Sequence, residues 1–253
     1  QDVYANEGYA YAEIKPIIKE DDEKHTADIT YDISKGPKVR FERITISGNQ
    51  HSRDKVIRRE LKVMEGDYFS GEGLKRSTEN LKRLGFFEDV QLHTKKGSRD
   101  DLMNLNVDVK EKGTRTFSVG AGYSSAYSAF VTFQVSDENF MGYGQRLSAS
   151  ARIGGTNTEY DIRFLEPWLF DTRLSLGADL YKWTQEYTDY TRASYGTRLS
   201  LGAPLYLDYT RGTLMYGYDH ADISDVASTA SQTLLDMTGV NVTSSLTLLV
   251  NRD

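Results

Sequence analysis

Four histidines, one pair of carboxylates and one glycine-rich tripeptide are the groups in this 253-residue chain whose types could carry chemistry. A metal centre needs ligands at short, repeated spacing. His25, His51, His93 and His220 stand apart with no partner at that spacing, so each reads as a surface or turn residue. Gly120-Ala121-Gly122 would let a backbone approach a phosphate, but it lacks the third glycine and the strand-then-helix context of a nucleotide loop. Glu159 and Asp161 share one strand face beside Arg163, which favours an interior salt-bridge network over acid and base catalysis. Asn241-Val242-Thr243 matches a glycosylation sequon by chance. No catalytic residue, metal or cofactor is expected, and the absence of cysteine leaves neither a disulfide framework nor a thiolate site.

With no chemistry to place, the elements themselves become the subject. A net charge of −6 argues against a nucleic-acid partner. No run approaches the roughly 18 apolar residues of a transmembrane helix; the strongest patch is Leu246 to Val250. No basic leader with an apolar stretch precedes the chain, so Gln1 reads as a mature or cut end. Composition breaks near Gly113: residues 1–113 hold 13 lysines and 5 tyrosines, whereas 114–253 hold one lysine, Lys182, and 12 tyrosines. The second part is thus depleted in the flexible cation and enriched in the aromatic that favours membrane interfaces.

In the first part, Val39 to Ile46 predicts a strand, and Ser52 is the expected N-cap of a helix burying Val56, Ile57, Leu61 and Met64. Ser70 caps a second helix with Leu74, Leu81 and Leu84 on one face, ended by Gly85. Two alternating strands follow, one around Val90 and Leu92, the other around Leu105, Val107 and Val109. The unit is β-α-α-β-β. Half of it recurs, because Gly8-Tyr9-Ala10 matches Gly85-Phe86-Phe87 and Ala27 to Gly36 matches Leu105 to Gly113. Residues 1–35 are therefore expected to be the closing half of a repeat, and 36–113 a complete one.

Residues 114–253 alternate in eight segments. Phe117, Val119, Ala121 and Tyr123 oppose Thr116, Ser118, Gly120 and Gly122; the others centre on 131–135, 147–153, 160–164, 174–180, 193–203, 214–218 and 240–250. A soluble β-sandwich alternates too. The connections favour a membrane barrel, because Phe140 and Tyr143, Trp168 and Phe170, and Tyr206 and Tyr209 form one aromatic rim. Tyr123, Tyr127, Tyr181, Trp183, Tyr187 and Tyr190 form the other, so that the rims flank an apolar band.

Gly48-Asn49, Val56-Ile57-Arg58-Arg59-Glu60-Leu61, Glu65-Gly66-Asp67, Leu84-Gly85-Phe86-Phe87 and Val109-Lys110-Glu111 resemble the last POTRA repeat of the BamA family. Phe117 to Tyr123 resembles that family's first barrel strand, and Phe164 to Phe170 its Pro-aromatic turn. The expected fold is α+β POTRA repeats followed by an antiparallel transmembrane β-barrel, of which the first eight strands of roughly sixteen are present. Asn251-Arg252-Asp253 resembles the opening of a motif midway through family barrels, and the family's Val-Arg-Gly-Phe loop motif is not found.

The resemblance implies a bacterial outer-membrane protein with a periplasmic N-terminal region that folds and inserts other barrels. Its partners would be unfolded outer-membrane proteins, lipoprotein subunits of an assembly complex and the lipid bilayer. It also implies that the last repeat docks a lipoprotein through Arg58, Lys62 and Glu65, and that the seam at Thr116–Tyr123 parts so that client strands pair there. Proline at Ser118 or Gly120 is then expected to stop assembly and Ser118→Ala to be nearly silent. The alternatives are a POTRA-barrel secretion or translocation pore, of two-partner secretion or TamA type, and a plain structural barrel. The number of POTRA repeats in the whole protein discriminates among the POTRA-barrel classes.

Overall fold

The computed structural model describes residues 2–21, 26–125, 127–205 and 210–252. The chain divides into two compact units, Gln1–Lys112 and Gly113–Asp253.

The first unit opens with a short helix α1 (Asp2–Asn6) and an antiparallel hairpin of β1 (Glu13–Asp21) and β2 (Thr26–Ser34). Next come β3 (Arg40–Ser47), α2 (Asp54–Arg58), α3 (Gly71–Arg83), β4 (Phe87–Lys96) and β5 (Leu102–Glu111). The β-α-α-β-β order matches the sequence pattern. Its sheet runs β3-β5-β4, with β3 parallel to β5 and β4 antiparallel to it. The central strand shows why alternation predicted it: Met103, Leu105, Val107 and Val109 are buried while the residues between them are not. They pack with Val39, Phe41, Ile57 and Leu81 in one core. Truncating a side chain as buried as Leu81 would cost about 2–5 kcal/mol. Ser70 caps α3 as expected, accepting from the Gly73 amide at 3.0 Å. Gly8 and Gly85, aligned by the repeat, both adopt positive φ, +100° and +76°, where a side chain is strained.

The first helix departs from expectation. Ser52 is not its cap: Arg53 holds that position, in extended conformation and with no side-chain cap bond. Ser52 is buried and its amide donates to Glu111 instead. The helix ends at Arg58, so Leu61 and Met64 lie beyond it, and Met64 is exposed. The cause is competition from the sheet edge. Gly66 and Phe69 donate to Phe41 and Val39, and Phe41 donates to Asp67, which draws this segment alongside β3.

In the second unit, β6 (Arg115–Ser124), β7 (Ser128–Phe140), β8 (Gln145–Gly154), β9 (Asn157–Glu166), β10 (Ser175–Glu186), β11 (Thr191–Pro204), β12 (Thr210–Ser224) and β13 (Gly239–Arg252) form one antiparallel meander, each paired with its sequence neighbours. A short helix, α4 (Gln232–Asp236), interrupts the connection before β13. The sheet is open: β6 and β13 each have one partner. Cross-strand register keeps the predicted faces intact. Phe117, Val135, Ala149, Ile162 and Leu180 lie in one row, and Ser118, Gln134, Ser150 and Asp161 in the next, on the opposite face. Phe133, Ile162, Leu180, Leu199, Leu214 and Leu248 are all exposed. Such a largely apolar face is a liability in water and the required surface in lipid. No helix among the described residues is long and apolar enough to cross a membrane, which leaves strand crossing untouched.

Candidate functional site

Two features of the second unit can act on other molecules: the free edge of β6 and the two faces of the sheet. The whole segment Thr116–Tyr123 lies within β6, whose single partner is β7. The bonding phase decides which backbone groups are free. Glu138 donates its amide to the Thr114 carbonyl at 3.1 Å, one step beyond the Arg115–Asp137 pair at which the β6–β7 register begins. Directly opposed, bonded pairs recur every second residue in an antiparallel ladder. Thr116, Ser118, Gly120 and Gly122 therefore bond to β7, whereas Phe117, Val119, Ala121 and Tyr123 point their amides and carbonyls at the open edge. Proline at Ser118 or Gly120 would therefore act by breaking the protein's own ladder to β7 rather than by blocking the open edge.

The root of this strand is pinned. Asp137 is buried at a bulge in β7, where it accepts from the Thr114 hydroxyl (2.7 Å), from Arg115 (3.1 Å) and from the Asn139 amide (3.0 Å). Asn139, also buried, accepts from the Gly144 amide at 2.7 Å and so shapes the turn 141–144. Nothing in the alternation marks either residue; an acidic residue near a strand end was the only signal.

The aromatics expected at membrane interfaces separate into two groups. Phe140 ends β7, Tyr143 sits in the following turn, and Trp168 and Phe170 occupy the β9–β10 connection at the same end of the sheet. Phe170 is 86% exposed, with φ of 54°. Tyr206 and Tyr209 lie outside the described residues. Tyr181 and Trp183, by contrast, fall on the polar face. Tyr181 stands opposite Asp161 and donates to Asp219 at 2.7 Å, with Arg198 over its ring. Trp183 stands opposite Glu159, with Arg192 over its ring. Parity along β10 shows the reason: Leu180 and Lys182 face outward, so the residues at odd positions face the other way. Glu159 and Asp161 sit in the same polar layer, paired with Arg152 at 2.9 Å and Arg163 at 2.7 Å. His220, expected in a turn or at the surface, is a strand residue stacked on Tyr195 with ring centroids 4.6 Å apart. His25 lies outside the described residues.

Arg58, Lys62 and Glu65 are all exposed in the first unit. Arg58 bonds Asp54 at 2.9 Å, and Glu65 accepts from the Ile44 amide at 2.9 Å, so both also hold local structure. Lys62 and the neighbouring Met64 leave their side chains at the surface. Among the described residues no cluster of histidines and carboxylates could hold a metal.

An α/β repeat unit ahead of an antiparallel sheet with an outward apolar face, aromatic turns and a polar inner layer defines a class: POTRA proteins with an outer-membrane strand domain. Family comparison agrees. The family of surface antigen variable number repeats, POTRA, matches residues 1–36 and 39–112, and the Omp85 superfamily domain matches 139–253. The chain belongs to the Omp85 superfamily. It is an outer-membrane protein whose POTRA region is periplasmic.

Outer membrane protein assembly factor BamA of Nitratidesulfovibrio vulgaris is 31% identical over 252 residues, which is 100% of this chain and 32% of the relative. The chain thus spans about a third of the length of that relative. The crystal structure of BamA from Haemophilus ducreyi lacking POTRA domains 1–3 superposes with a TM-score of 0.82 at 22% identity, covering 98% of this chain and 50% of that one. CdiB from Escherichia coli gives 0.57 at 16% identity, covering 98% and 47%. Both structures support the fold.

Proposed function

We propose that the chain is the junction between periplasmic repeats and barrel in a factor that assembles other outer-membrane proteins. Likeness to an assembly factor along the entire chain carries this reading. The physical basis is the β6 edge. A client barrel entering lipid must satisfy every backbone group, and an edge offering alternate donors and acceptors satisfies them without demanding a particular sequence. Thr116–Tyr123 is the working edge in this reading. Residues 1–35 and 36–113 are the end of one repeat and a complete second one, receiving unfolded clients, and 114–253 begins the barrel. Arg58, Lys62 and Glu65 are the contact for a lipoprotein subunit, with Met64 supplying apolar area beside them. Phe140, Tyr143, Trp168 and Phe170 sit at one membrane interface.

The alternative, a secretion or translocation pore, is supported by fold likeness to CdiB at the lower TM-score. The test is complementation. Cells depleted of their own assembly factor receive the complete protein that carries this chain, and folding of a client barrel is followed by heat-dependent gel migration. Restored client folding is expected. Export of one polypeptide without client folding would establish the alternative.

A further inference from the structure

The outward face of the sheet is not uniformly apolar. Across the register, a row that begins as Val119, Phe133 and Ala151 on β6 to β8 continues as Tyr160, Lys182, Tyr195 and His220 on β9 to β12. Lys182 is the one lysine between residues 114 and 253, and it is exposed. Tyr160 and Tyr195 flank it on the two neighbouring strands and are 44% and 51% exposed. The ammonium and both hydroxyls have no hydrogen-bond or ion-pair partner among the described residues. Stacking on His220 holds the Tyr195 ring in place. The next row toward the turn at 167–174 is apolar on β9 and β10, where Ile162 and Leu180 are exposed, and carries Thr197 on β11. Carboxylates on this face, Asp222 and Glu186, lie one and two rows further the other way.

A cation on a lipid-facing surface is costly unless it sits at headgroup level and meets an anion. An unpartnered ammonium, which can only donate, between two hydroxyls that can each donate favours an anionic group, and phosphate oxygens accept from ammonium and hydroxyl alike. The exposed row below suits acyl chains. We propose that Lys182, Tyr160 and Tyr195 form a binding site for the phosphate group of a membrane lipid, held at headgroup level on the outer face of β9 to β11.

The test uses the complete protein that carries this chain, purified in detergent and examined by native mass spectrometry. The probes are dioleoyl phosphatidic acid, dioleoyl phosphatidylcholine and inorganic phosphate. Phosphatidic acid should be retained in preference to phosphatidylcholine, and Lys182→Gln should weaken its retention by about tenfold, as expected for loss of one charge-assisted bond. Lys182→Arg should retain it. Inorganic phosphate should not displace the lipid, because the apolar row holds the chains. Equal retention of the two lipids, displacement by phosphate, or unchanged retention in Lys182→Gln would overturn the proposal. Should Lys182→Gln lose the heat-dependent migration of a folded barrel, the double variant Tyr160→Phe with Tyr195→Phe keeps both rings and asks the same question; unchanged retention there overturns the site.

Discussion

At the scale of single residues, Glu111 illustrates how the POTRA unit fixes a loop without a helix cap. Its carboxylate accepts from three consecutive amides, Gln50 at 2.9 Å, His51 at 2.8 Å and Ser52 at 2.7 Å. Burial pushes this carboxyl up, but the bonds from the Ser52 hydroxyl and from the three amides outweigh it and hold the pKa below the ordinary glutamate value of 4.5. A depressed carboxyl contributes stability that is complete above its unfolded value and is lost as pH falls through its lower folded value. Glu111→Gln in the isolated repeat 37–113 is therefore expected to lower stability by about 1 kcal/mol at neutral pH, roughly 5 °C in Tm. The gap should close as the pH is taken down through the acid limb. Thermal melts of both proteins across pH measure it; a gap that stays constant into acid would show that the charge is not responsible. Gly48, met in the sequence as half of a Gly-Asn pair, gains its physical reason only here. Its φ is +85°, and an added Cβ would run into the Val109 carbonyl oxygen. No local pattern reveals that approach, because β5 is distant in sequence.

At the scale of elements, the decisive comparison is between two prolines on one strand. Ala121 directs its amide at the open edge, so Ala121→Pro removes a donor that a client strand needs and leaves the β7 ladder whole. Ser118 directs its amide at β7, so Ser118→Pro damages the strand itself. In the complete protein, Ala121→Pro should insert normally yet cut client assembly by about tenfold or more, whereas Ser118→Pro should fail to insert and Ser118→Ala should do neither. Own insertion and client folding are read from the same gel by heat-dependent migration. Full client folding in an inserted Ala121→Pro protein would end the edge mechanism. All eight strands were legible in the sequence because period-two alternation survives wherever one face meets lipid and the other a polar layer. What alternation does not carry is register. Tyr181 and Trp183 looked like rim aromatics by their position near a connection, but their parity with Leu180 places them inside, bonded to Asp219 or under Arg192. The same gap hid the Tyr160–Lys182–Tyr195 row, which exists only once three strands are aligned. Helix α2 was overextended for a related reason: apolar residues at helical spacing also occur in the connection that leads to the β3 edge, and Leu61 and Met64 lie there, ahead of the Gly66–Phe69 stretch that bonds to β3.

At the scale of the whole molecule, closure is the governing constraint. Eight strands suffice to close the smallest barrels, but here β6 pairs only with β7 and β13 only with β12. Along Arg115–Ser124 and Gly239–Arg252 every second residue therefore offers an unpaired amide and carbonyl. In hydrocarbon each such group costs several kcal/mol, so a ten-residue edge is a penalty that the outward apolar face cannot offset by itself. The aromatic turns and the polar layer of Arg152, Glu159, Asp161 and Arg163 do not relieve it, since they line the faces and not the edges. This 253-residue chain on its own is accordingly expected to stay bound to detergent or to associate through its edges, and to give no discrete conductance when added to a planar lipid bilayer. The POTRA unit, whose buried core cluster runs from Val39 to Val109 with Ala10 packed against it, should remain folded in the same preparation and show protected amides in β5 by hydrogen exchange. Protection in β5 without channels places the failure at the open sheet. Uniform, long-lived single channels from this chain alone, whether from one copy or from two joined edge to edge, would show that the edges can be paired without further strands and would remove the physical basis for an edge held open to clients.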